Sequence, residues 1–594
     1  MPRHVGAMHV ATVKSGYAAK SGERRVYETH LLRRTFREDG KVKHETLANL
    51  SALGDAQIEL LRRSLKGEAF VPADTAGVVL RSLPHGDAAA VMAQARTLGL
   101  PALLGPAGRQ RDLALALIVS RVIRPATKLA TVSWWPDTTL GVDLGVADAS
   151  TDEVYAAMDW LQGRQDSIEA KLAGRHLADG AANPHRMALF DVSSSWMEGS
   201  HCELARLGYS RDGKKGKPQI EYGLLTDPAG RPVAVRVFAG NTADPAAFIE
   251  AVSVVRDKFG LTELVMVGDR GMITSARIEA LRQLSTPDGA ALGWLTCLRA
   301  PQIAALAADN GPLQMSLFDQ QDLAEITHPD YPGERLVACR NPALATERAR
   351  KRADLLAATE DLLAPIITAV TEGRLAGAAL IGLRVGKLIN KYKMAKHFDV
   401  AITDTTLTVT RRQKAIDAEA ALDGIYVIRT TVPADQLDVT GVVSAYKNLS
   451  NVERDFRILK ATDLDLRPIH HRLDERVKAH VLVCMLAAYL LWHLRRAWSE
   501  LTFTDEHPPA RTNPVAPAQR STTAARKASR QRDEHDQPLR SFRGLLTHLA
   551  TLARNDIRYG ADHTAPIVAT LTVATPTQRR AFELLNTPVP LTLA

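Results

Sequence analysis

The length of the chain, 594 residues, suggests three or four domains. Its 45% apolar and 24% charged residues are typical of a soluble globular protein. The 75 Lys and Arg exceed the 66 Asp and Glu, so the chain is basic. A protein that binds a polyanionic partner and a mildly basic protein that binds none are equally compatible with this charge. Four scattered cysteines exclude a disulfide scaffold and a cysteine-based zinc ribbon. The N-terminus has no apolar run typical of a secretory signal, and the longest apolar stretch, 481–494, predicts a buried helix. We therefore expect a soluble, cytoplasmic protein without a membrane partner.

Residues 1–110 are interpreted as a basic N-terminal region. The first 70 residues hold 13 Lys and Arg against 8 Asp and Glu. Asp39-Gly40 predicts a hairpin turn between strands over residues 27–36 and 41–50. The basic side chains of this hairpin either grip phosphates or form a solvated rim.

Residues 111–184 are predicted to be helical. Ser150 and Glu153 form the pattern of a capping box, so a helix is expected to begin there and end near Gly163. A second helix from Asp166 allows a helix-turn-helix, although two packed helices without a DNA role are favoured.

Residues 185–285 change to short apolar strands, predicted over 187–190, 220–225, 233–238 and 264–267. The turn signal Asp227-Pro228-Ala229-Gly230 joins the second and third of them, and helices are expected over 245–258 and 273–284. Residues 286–435 are interpreted as an insertion in this mixed α/β domain, with a helix over 343–372 and strands over 293–298, 335–339, 398–410 and 425–429. Residues 436–500 are expected to be helical.

The remaining sequence divides into a linker, residues 501–545, and a helical segment, residues 546–594. Within the linker, residues 508–540 hold five Pro and seven Lys or Arg against three Asp or Glu, which predicts a disordered or loosely ordered basic stretch. This stretch either contacts DNA or only connects.

Two aspartates follow apolar strands in the α/β region. Asp191 ends the run 187–190, and Asp269 ends the run 264–268. A strand end fixes a carboxylate rigidly beside an open loop, which suits a ligand of Mg²⁺. A third acid, Glu453, is spaced by seven from Tyr446 and from Lys460, so the three are expected on one helix face. The alternatives are two turn-forming aspartates and an ordinary surface ion pair between Glu453 and Arg457.

Around these acids the sequence resembles the DDE transposases of bacterial insertion sequences. The resemblance covers most of residues 185–500 and is carried by seven runs: Leu189-Phe190-Asp191-Val192-Ser193-Ser194, Gly208-Tyr209-Ser210-Arg211-Asp212-Gly213, Gly223-Leu224-Leu225, Ala239-Gly240-Asn241-Thr242-Ala243-Asp244, Val267-Gly268-Asp269-Arg270-Gly271-Met272, 446–460 and Leu466-Arg467-Pro468-Ile469-His470-His471-Arg472. One branch of that family carries a Tyr, Arg, Glu, Lys signature on the helix of the third acid and a β-rich insertion before it. In this chain Leu449 occupies the position of the signature Arg, whose role would be to contact a DNA phosphate. Lys447, Arg454 or Arg457 would then have to supply that contact.

The resemblance implies a ribonuclease-H-like mixed sheet core, with an inserted domain, an N-terminal region that binds DNA ends and a helical C-terminal part. It implies that Asp191, Asp269 and Glu453 are catalytic and hold two Mg²⁺ or Mn²⁺ ions. It also implies double-stranded DNA partners, namely terminal inverted repeats and target DNA, a homodimeric active complex and a place at the bacterial nucleoid. The DNA contacts expected on these grounds, and on the basic character of the loop around 206–217, are Tyr446, Lys460, Arg457, Arg211, Lys214, Lys215 and Arg270.

Three other signals are set aside. The run Gly208 to Lys214 nearly forms a P-loop, but Lys215 stands where Ser or Thr must bind Mg²⁺, so a nucleotide cofactor is not expected. His470, His471 and His480 lack the spacing of a metal site and are expected at the surface or against DNA. Trp196 is expected in the core rather than stacked on a base.

The sequence leaves three functions open. An insertion-sequence transposase is favoured over a ribonuclease-H-like nuclease without strand transfer. A transposase-derived DNA-binding regulator is the third reading.

Overall fold

The computed structural model describes two compact units, one formed by residues 1–82 and 555–570 and the other by residues 83–554 and 571–594. The residues it describes are 7–18, 24–38, 40–68, 70, 77–178, 185–199, 201–261, 264–274, 276, 278–279, 292–308, 311–509, 513–559 and 564–593.

The first unit is built mainly of strands. The antiparallel strands β1 (Met8–Ala18), β2 (Arg24–Glu38) and β3 (Lys41–Asn49) form a three-stranded sheet, followed by the helix Asp55–Leu65. The β2–β3 pairing runs to Glu38 opposite Lys41, which confirms the predicted hairpin, although Asp39 lies outside the described residues. A second three-stranded sheet has β4 (Val78–Pro84) at one edge and contains the strands Ala553–Arg558 and Ile567–Leu571.

The second unit is organised around a mixed sheet of eight strands. Its members in chain order are β5 (Met187–Trp196), β6 (Gln219–Thr226), β7 (Pro232–Ala239), β8 (Val265–Gly268), β9 (Gly293–Cys297), β10 (Leu323–Ile326), β11 (Arg335–Arg340) and β14 (Ile425–Thr430), with β12 (Phe398–Ile402) and β13 (Leu407–Arg411) forming a separate hairpin. The spatial order is β10-β11-β14-β9-β8-β5-β6-β7. The pairs β5–β8 and β8–β9 are parallel, and the others are antiparallel. This large mixed sheet is compatible with the ribonuclease-H-like core that the sequence predicts.

Strands of the segment predicted as an insertion continue this sheet. β9 pairs with β8, and β14, β11 and β10 then extend the same side of the sheet. In the described part of 286–435 these four strands therefore belong to the large sheet and not to a sheet of their own. The single strand predicted over 398–410 is instead the hairpin β12–β13. That hairpin packs with the helices Pro342–Thr371 and Ala378–Ile389 in small apolar clusters of its own. Buried β-branched and aromatic residues predict strands, but their partners are long-range and cannot be read from local pattern.

Helices cover the sheet. Those before it are Gly86–Thr97, Leu100–Leu104, Arg109–Ile123, Lys128–Trp134, Thr139–Asp143, Thr151–Gln162 and Gln165–His176, and those after β7 are Asp244–Ser253, Ala300–Leu306, Pro342–Thr371, Ala378–Ile389, Gln413–Ala420, Val439–Lys447, Leu449–Arg457, Asp474–Ala497, Thr522–Arg530, Phe542–Ala550 and Pro576–Glu583. Ser150 and Glu153 form the predicted capping box. The two helices after it bury Met158, Leu161, Ile168 and Leu172 in the core, as expected for packed helices.

The helix Asp474–Ala497 is the central helix of the second unit and packs against Arg109–Ile123, Thr151–Gln162 and β7. It is long and apolar enough to span a membrane, but 83% of its most apolar stretch is buried inside the protein. This confirms the buried helix predicted over 481–494.

Two expectations for the C-terminal third are wrong. The stretch 508–540, of which residues 510–512 lie outside the described residues, was expected to be disordered or loosely ordered, but it contains the helix Thr522–Arg530. That helix is capped by Ser521 and buries Lys527, whose ammonium donates to the backbone oxygen of Ser499 at 3.0 Å. The closing segment is not purely helical, since the strands Ala553–Arg558 and Ile567–Leu571 interrupt it. Composition predicts disorder only where no apolar partner is available, and the core supplies one here.

The side-chain amine of Lys128 is buried against the central helix. Lys128 is 6% exposed, and its Nζ lies 3.2 Å from Nδ1 of His480, whose Nε2 lies 3.2 Å from the Leu466 carbonyl oxygen. His480 is therefore a core residue, not a surface or DNA-contacting one. Burial, with a smaller contribution from Arg121, lowers the pKa of Lys128 to about 7. The amine donates to Nδ1 in its neutral form, which needs no carboxylate partner.

We expect this amine to make stability depend on pH. The folded pKa of Lys128 lies below the unfolded value of about 10.4, so the unfolded state binds more protons between those values and the free energy of unfolding rises with pH across that window. From pH 7 to 9.5 the wild type should gain about 3 kcal/mol relative to Lys128→Met, measured by urea denaturation. Lys171→Met, at an exposed lysine, should behave as wild type. Equal pH slopes for wild type and Lys128→Met would contradict a neutral amine.

Candidate active site

Asp191 and Asp269 follow the last pair of the parallel strands β5 and β8. Phe190 pairs with Gly268, and each aspartate is the next residue. The strand does not end at Asp191 as expected: β5 continues to Trp196 because its other neighbour, β6, pairs with it as far as Gln219. Because Phe190 and Gly268 are paired in adjacent parallel strands, the residues that follow them lie side by side, so the two carboxylates are neighbours.

The surroundings of Asp191 strongly disfavour its charged form. Burial is the main reason that its pKa rises to about 7, and the negative charges of Asp269 and Glu453 raise it further. The backbone N–H of Val192, which donates to Oδ1 at 2.8 Å, and the charge of Arg211 oppose this rise. Asp269 and Glu453 therefore both lie within electrostatic reach of Asp191.

Asp269 is exposed and is held from two sides. The hydroxyl of Tyr446 donates to Oδ1 at 3.4 Å, and the backbone N–H of Gly271 donates to Oδ2 at 3.4 Å. Burial, Cys297 and Asp269 raise the pKa of Tyr446, so its hydroxyl keeps the proton that it donates. The structure thus brings the predicted Tyr446 directly to a predicted catalytic acid.

Glu453 lies on the exposed side of the helix Leu449–Arg457. The opposite side of that helix buries Val452 and Phe456, and the Phe456 ring packs edge-on against Tyr222 of β6 at 5.7 Å. The turn between β6 and β7 also holds the helix, because the Asn451 amide donates to the Pro228 carbonyl at 3.0 Å. Gly230 in that turn has a φ of +81°, and a Cβ atom there would come within 2.7 Å of the Asn451 Cβ.

The expected single helix through Tyr446, Glu453 and Lys460 is broken. Tyr446 lies on Val439–Lys447, Glu453 on Leu449–Arg457, and Lys460 on a π-helical turn over Ile458–Thr462. The wider turn rotates Lys460 inward, so it is 8% exposed and its Nζ donates to Oδ1 of Asp212 at 2.9 Å. Burial lowers the pKa of Lys460, and Asp212 opposes this.

Arg211 is also committed to protein carboxylates. Its guanidinium pairs with Asp244 at 2.5 Å and with Glu221 at 3.3 Å, and its backbone N–H donates to Oγ of Ser194 on β5 at 3.1 Å. Burial raises the pKa of Glu221 to about 7, with Arg211 opposing and Asp244 adding to the rise. A Cβ atom at Gly271 would lie 3.6 Å from Oδ2 of Asp269 and 3.9 Å from Oδ2 of Asp244, so this second acidic group adjoins the first.

The other predicted DNA contacts are exposed: Lys214, Lys215, Arg270 and Arg457. Trp196 is not in the core as expected. It is half-buried, and Lys214 and Arg467 lie 5.4 and 4.9 Å from its ring centroid. Glu453 and Arg457 form no ion pair, so the surface pair that was the ordinary alternative is not observed.

The donor chemistry of the three acids suits a divalent cation. Among the residues that the structure describes, Asp191, Asp269 and Glu453 have no Lys or Arg within ion-pair distance. No three His, Cys, Asp or Glu side chains of the described ranges stand close enough to form a preassembled ligand cluster. Carboxylates that repel one another, one of them largely buried, are nevertheless what a hard cation with oxygen ligands would neutralise.

The sequence around these acids matches a known protein family. Residues 185–491, about half of the chain, match the family described as transposase DDE domain. The chain belongs to the DDE transposases. Residues 18–74 match a second description, IS1634 family transposase, N-terminal domain. No curated protein gives a significant match to the chain.

As a DDE transposase, the chain is an enzyme of DNA transposition from a family whose catalytic domains depend on divalent metal ions. Of the residues proposed to replace the signature Arg at Leu449, Lys447 donates to the carbonyl of Val515 at 2.8 Å. Arg454 and Arg457 are both exposed on the helix that carries Glu453, so both remain candidates for that contact.

Sequence reasoning missed three carboxylates of this region. Asp212 and Asp244 lie in runs that carry the family resemblance, but their partners are 248 and 33 residues away. Glu221 gives a local signal, because it is a charged residue in a mainly apolar strand that is buried along its whole length.

Proposed function

We propose that the chain is the transposase of an insertion sequence, that it binds the terminal inverted repeats of its element, and that it catalyses DNA cleavage followed by strand transfer. The observation that supports this most is the last parallel pair of β5 and β8, Phe190 with Gly268, because Asp191 and Asp269 directly follow that pair, and Asp269 and Glu453 both act electrostatically on Asp191.

In this proposal Asp191, Asp269 and Glu453 hold two Mg²⁺ or Mn²⁺ ions. When bound by these residues, the ions would supply Lewis acidity for activating an attacking hydroxyl and for stabilising the leaving oxygen of a phosphodiester. Tyr446 orients Asp269 through its hydroxyl, and the pair of Arg211 with Asp244 and Glu221 fixes the loop that follows β5. Two transposon ends must be cut together, so a homodimer is the expected active complex.

The test uses linear duplex DNA ending in the inverted repeats that flank the coding sequence, a supercoiled target plasmid and Mg²⁺. A transposase nicks at the repeat end and joins the freed 3′ end to the plasmid. Cleavage without a joined product would favour a nuclease of the same fold. Repeat binding without any cleavage would overturn the enzymatic proposal in favour of a regulator.

The exposed lysines of the loop after β5 are proposed to contact DNA phosphates. Lys214→Ala and Lys215→Ala should each weaken binding of a repeat duplex and lower the slope of log K against log salt by about one. Fluorescence anisotropy across salt concentrations measures this slope. Lys171→Ala, at an exposed lysine on the helix Gln165–His176, is the matched control. An unchanged slope would remove that lysine from the DNA surface.

A further inference from the structure

The three-stranded sheet β1–β2–β3 of the first unit has two unlike faces. Residues paired across antiparallel strands lie on the same face, and successive residues of a strand alternate between the two faces. His9 of β1 pairs with Arg33 of β2, and Arg37 lies on the same face because it follows Arg33 by four residues. Thr35 and His44 of β3 also pair on this face, with Oγ1 of Thr35 3.0 Å from Nδ1 of His44. We call this side of the sheet the open face; it carries His9, Val13, Tyr27, Arg33, Arg37 and His44.

The other side of the sheet, which we call the covered face, packs against the helix Asp55–Leu65. Thr12 of β1 lies on the covered face, and the Arg62 guanidinium of the helix donates to its Oγ1 at 2.6 Å. On the open face, by contrast, Val13 is 37% exposed and Tyr27 is 54% exposed. The open face is therefore accessible to a partner.

The charges of the two faces also differ. All three acids of these strands lie on the covered face, where each has a basic partner: Glu28 with Lys14 at 2.6 Å, Glu38 with Lys43 at 2.6 Å and Glu45 with Arg34 at 3.7 Å. No acid of the described strands lies on the open face. Arg33 and Arg37 have no carboxylate partner within the part of the chain that the structure describes. The acids therefore compensate the covered face, whereas the open face carries positive charge alone.

The dimensions of the open face suit the major groove of duplex DNA. Neighbouring strands lie about 4.8 Å apart, so β1 and β3 are separated by about 10 Å, against a major groove about 12 Å wide. The central strand β2 can then face the base edges while β1 and β3 lie over the flanking phosphates. The guanidinium of Arg33 can donate two hydrogen bonds to a guanine, and the methyl group of Thr35 can contact that of a thymine.

The kind of cation on each face points the same way. The lysines of these strands, Lys14, Lys41 and Lys43, all lie on the covered face, so the cations of the open face are arginines. Arginine recognises bases through a fixed fork of donors, whereas lysine acts as a point charge. The open face combines arginines with hydroxyl, imidazole and apolar groups, which is the mixture that contacts with base edges use.

We propose that the open face binds the duplex of the terminal repeat and that β2 carries the side chains that select its sequence. This inference rests on the proposed function, which supplies the repeat duplex as the ligand. It assigns the recognition of sequence to one face of one sheet, and it excludes the covered face from DNA.

The test compares two adjacent arginines that lie on opposite faces of β2. Arg33→Gln removes a cation from the open face, and Arg34→Gln removes one from the covered face. The full chain of each variant is titrated into a labelled repeat duplex and into a scrambled duplex of the same composition, in EDTA so that no cleavage occurs, and binding is followed by fluorescence anisotropy. Arg33→Gln should weaken binding of the repeat about tenfold or more and reduce the preference for it over the scrambled duplex. Arg34→Gln should bind as wild type does.

A second matched pair lies near the hairpin turn. Arg37→Gln, on the open face, should weaken binding of the repeat, whereas Lys43→Gln, on the covered face, should not. Both covered-face variants also break an exposed ion pair, so a loss of binding through local unfolding would appear in them first.

Wild-type affinity for Arg33→Gln, or a loss of the same size for Arg34→Gln, would overturn the proposal. Equal losses of Arg33→Gln on the repeat and scrambled duplexes would overturn the reading of bases, because a phosphate contact carries no sequence preference. A wild type that does not distinguish the repeat from the scrambled duplex would contradict the proposed function itself, so the two failures are distinguishable.

Discussion

Asp191→Asn, Asp269→Asn and Glu453→Gln are each expected to lower DNA cleavage by on the order of 10³-fold or more, because each removes a charged oxygen ligand from the proposed metal site. Binding of repeat DNA should remain near wild type, since none of the three contacts DNA in the proposal. Cleavage is measured as nicking at the repeat end under single-turnover conditions, and binding by anisotropy.

Two further measurements separate lost chemistry from misfolding. Folding raises the pKa of Asp191 above its usual value, so at any pH above that usual value the charged form of Asp191 destabilises the folded state. Asp191→Asn removes this charge and should therefore raise the free energy of unfolding at pH 8 without metal. Mg²⁺ should raise the Tm of wild type but not of the variant. Asp257→Asn, at a carboxylate 54% exposed and paired with Arg256, should change neither property. A variant that cleaves as well as wild type would remove its residue from the triad.

Asp212→Asn is expected to lower the free energy of unfolding by roughly 3–5 kcal/mol, the loss typical when one partner of a buried ion pair is removed. The Asp212 side chain is 2% exposed and pairs with both Lys460 and Arg467. The variant would leave two cations facing each other beside the helix that carries Glu453. Urea denaturation measures the loss, and cleavage should fall with it because this network positions the loop after β5.

A double-mutant cycle makes that interpretation specific. Lys460→Met in the Asp212→Asn background should recover part of the lost stability, because it removes one of the uncompensated cations. Asp257→Asn, in an exposed pair, should cost less than about 1 kcal/mol. A loss of similar size for Asp212→Asn would show that solvent already screens the network. If Lys460→Met alone weakens DNA binding while stability is unchanged, the phosphate contact predicted from sequence is favoured over a positioning role.

Local patterns predicted much of the second unit. The capping box at Ser150, the turn Asp227–Gly230 and the apolar runs before Asp191 and Asp269 all involve residues close in sequence, and the structure has each of these elements. Spacing alone gave little ground for linking Asp269 to Glu453, and the resemblance to a family supplied that link. Their common electrostatic effect on Asp191 is consistent with it.

The features that sequence did not predict depend on distant partners. Lys460 was expected to face DNA, but the π-helical turn and Asp212, 248 positions earlier, bring it inside. The basic stretch 508–540 was expected to be disordered or loosely ordered, but Lys527 within it pairs with Glu506 and donates to backbone oxygens. In both cases composition and spacing are correct descriptions of the local chain, and tertiary contacts decide the outcome.

The paired strands β11 and β14 hold both ends of the long segment between them, residues 341–424. Arg340 ends β11 opposite Ile425, where β14 begins, and the N–H of Asn341 donates to the carbonyl of Gly424 at 2.9 Å. Residues 341–424, with their long helices and hairpin, therefore occupy the place of a tight turn between two adjacent antiparallel strands. Because the paired strands fix both ends of this segment, and the entropic cost of closing a loop changes only slowly with loop length, a longer or shorter segment would change that cost little. The length and surface of residues 341–424 can therefore change without altering the strands β5 and β8, which position Asp191 and Asp269.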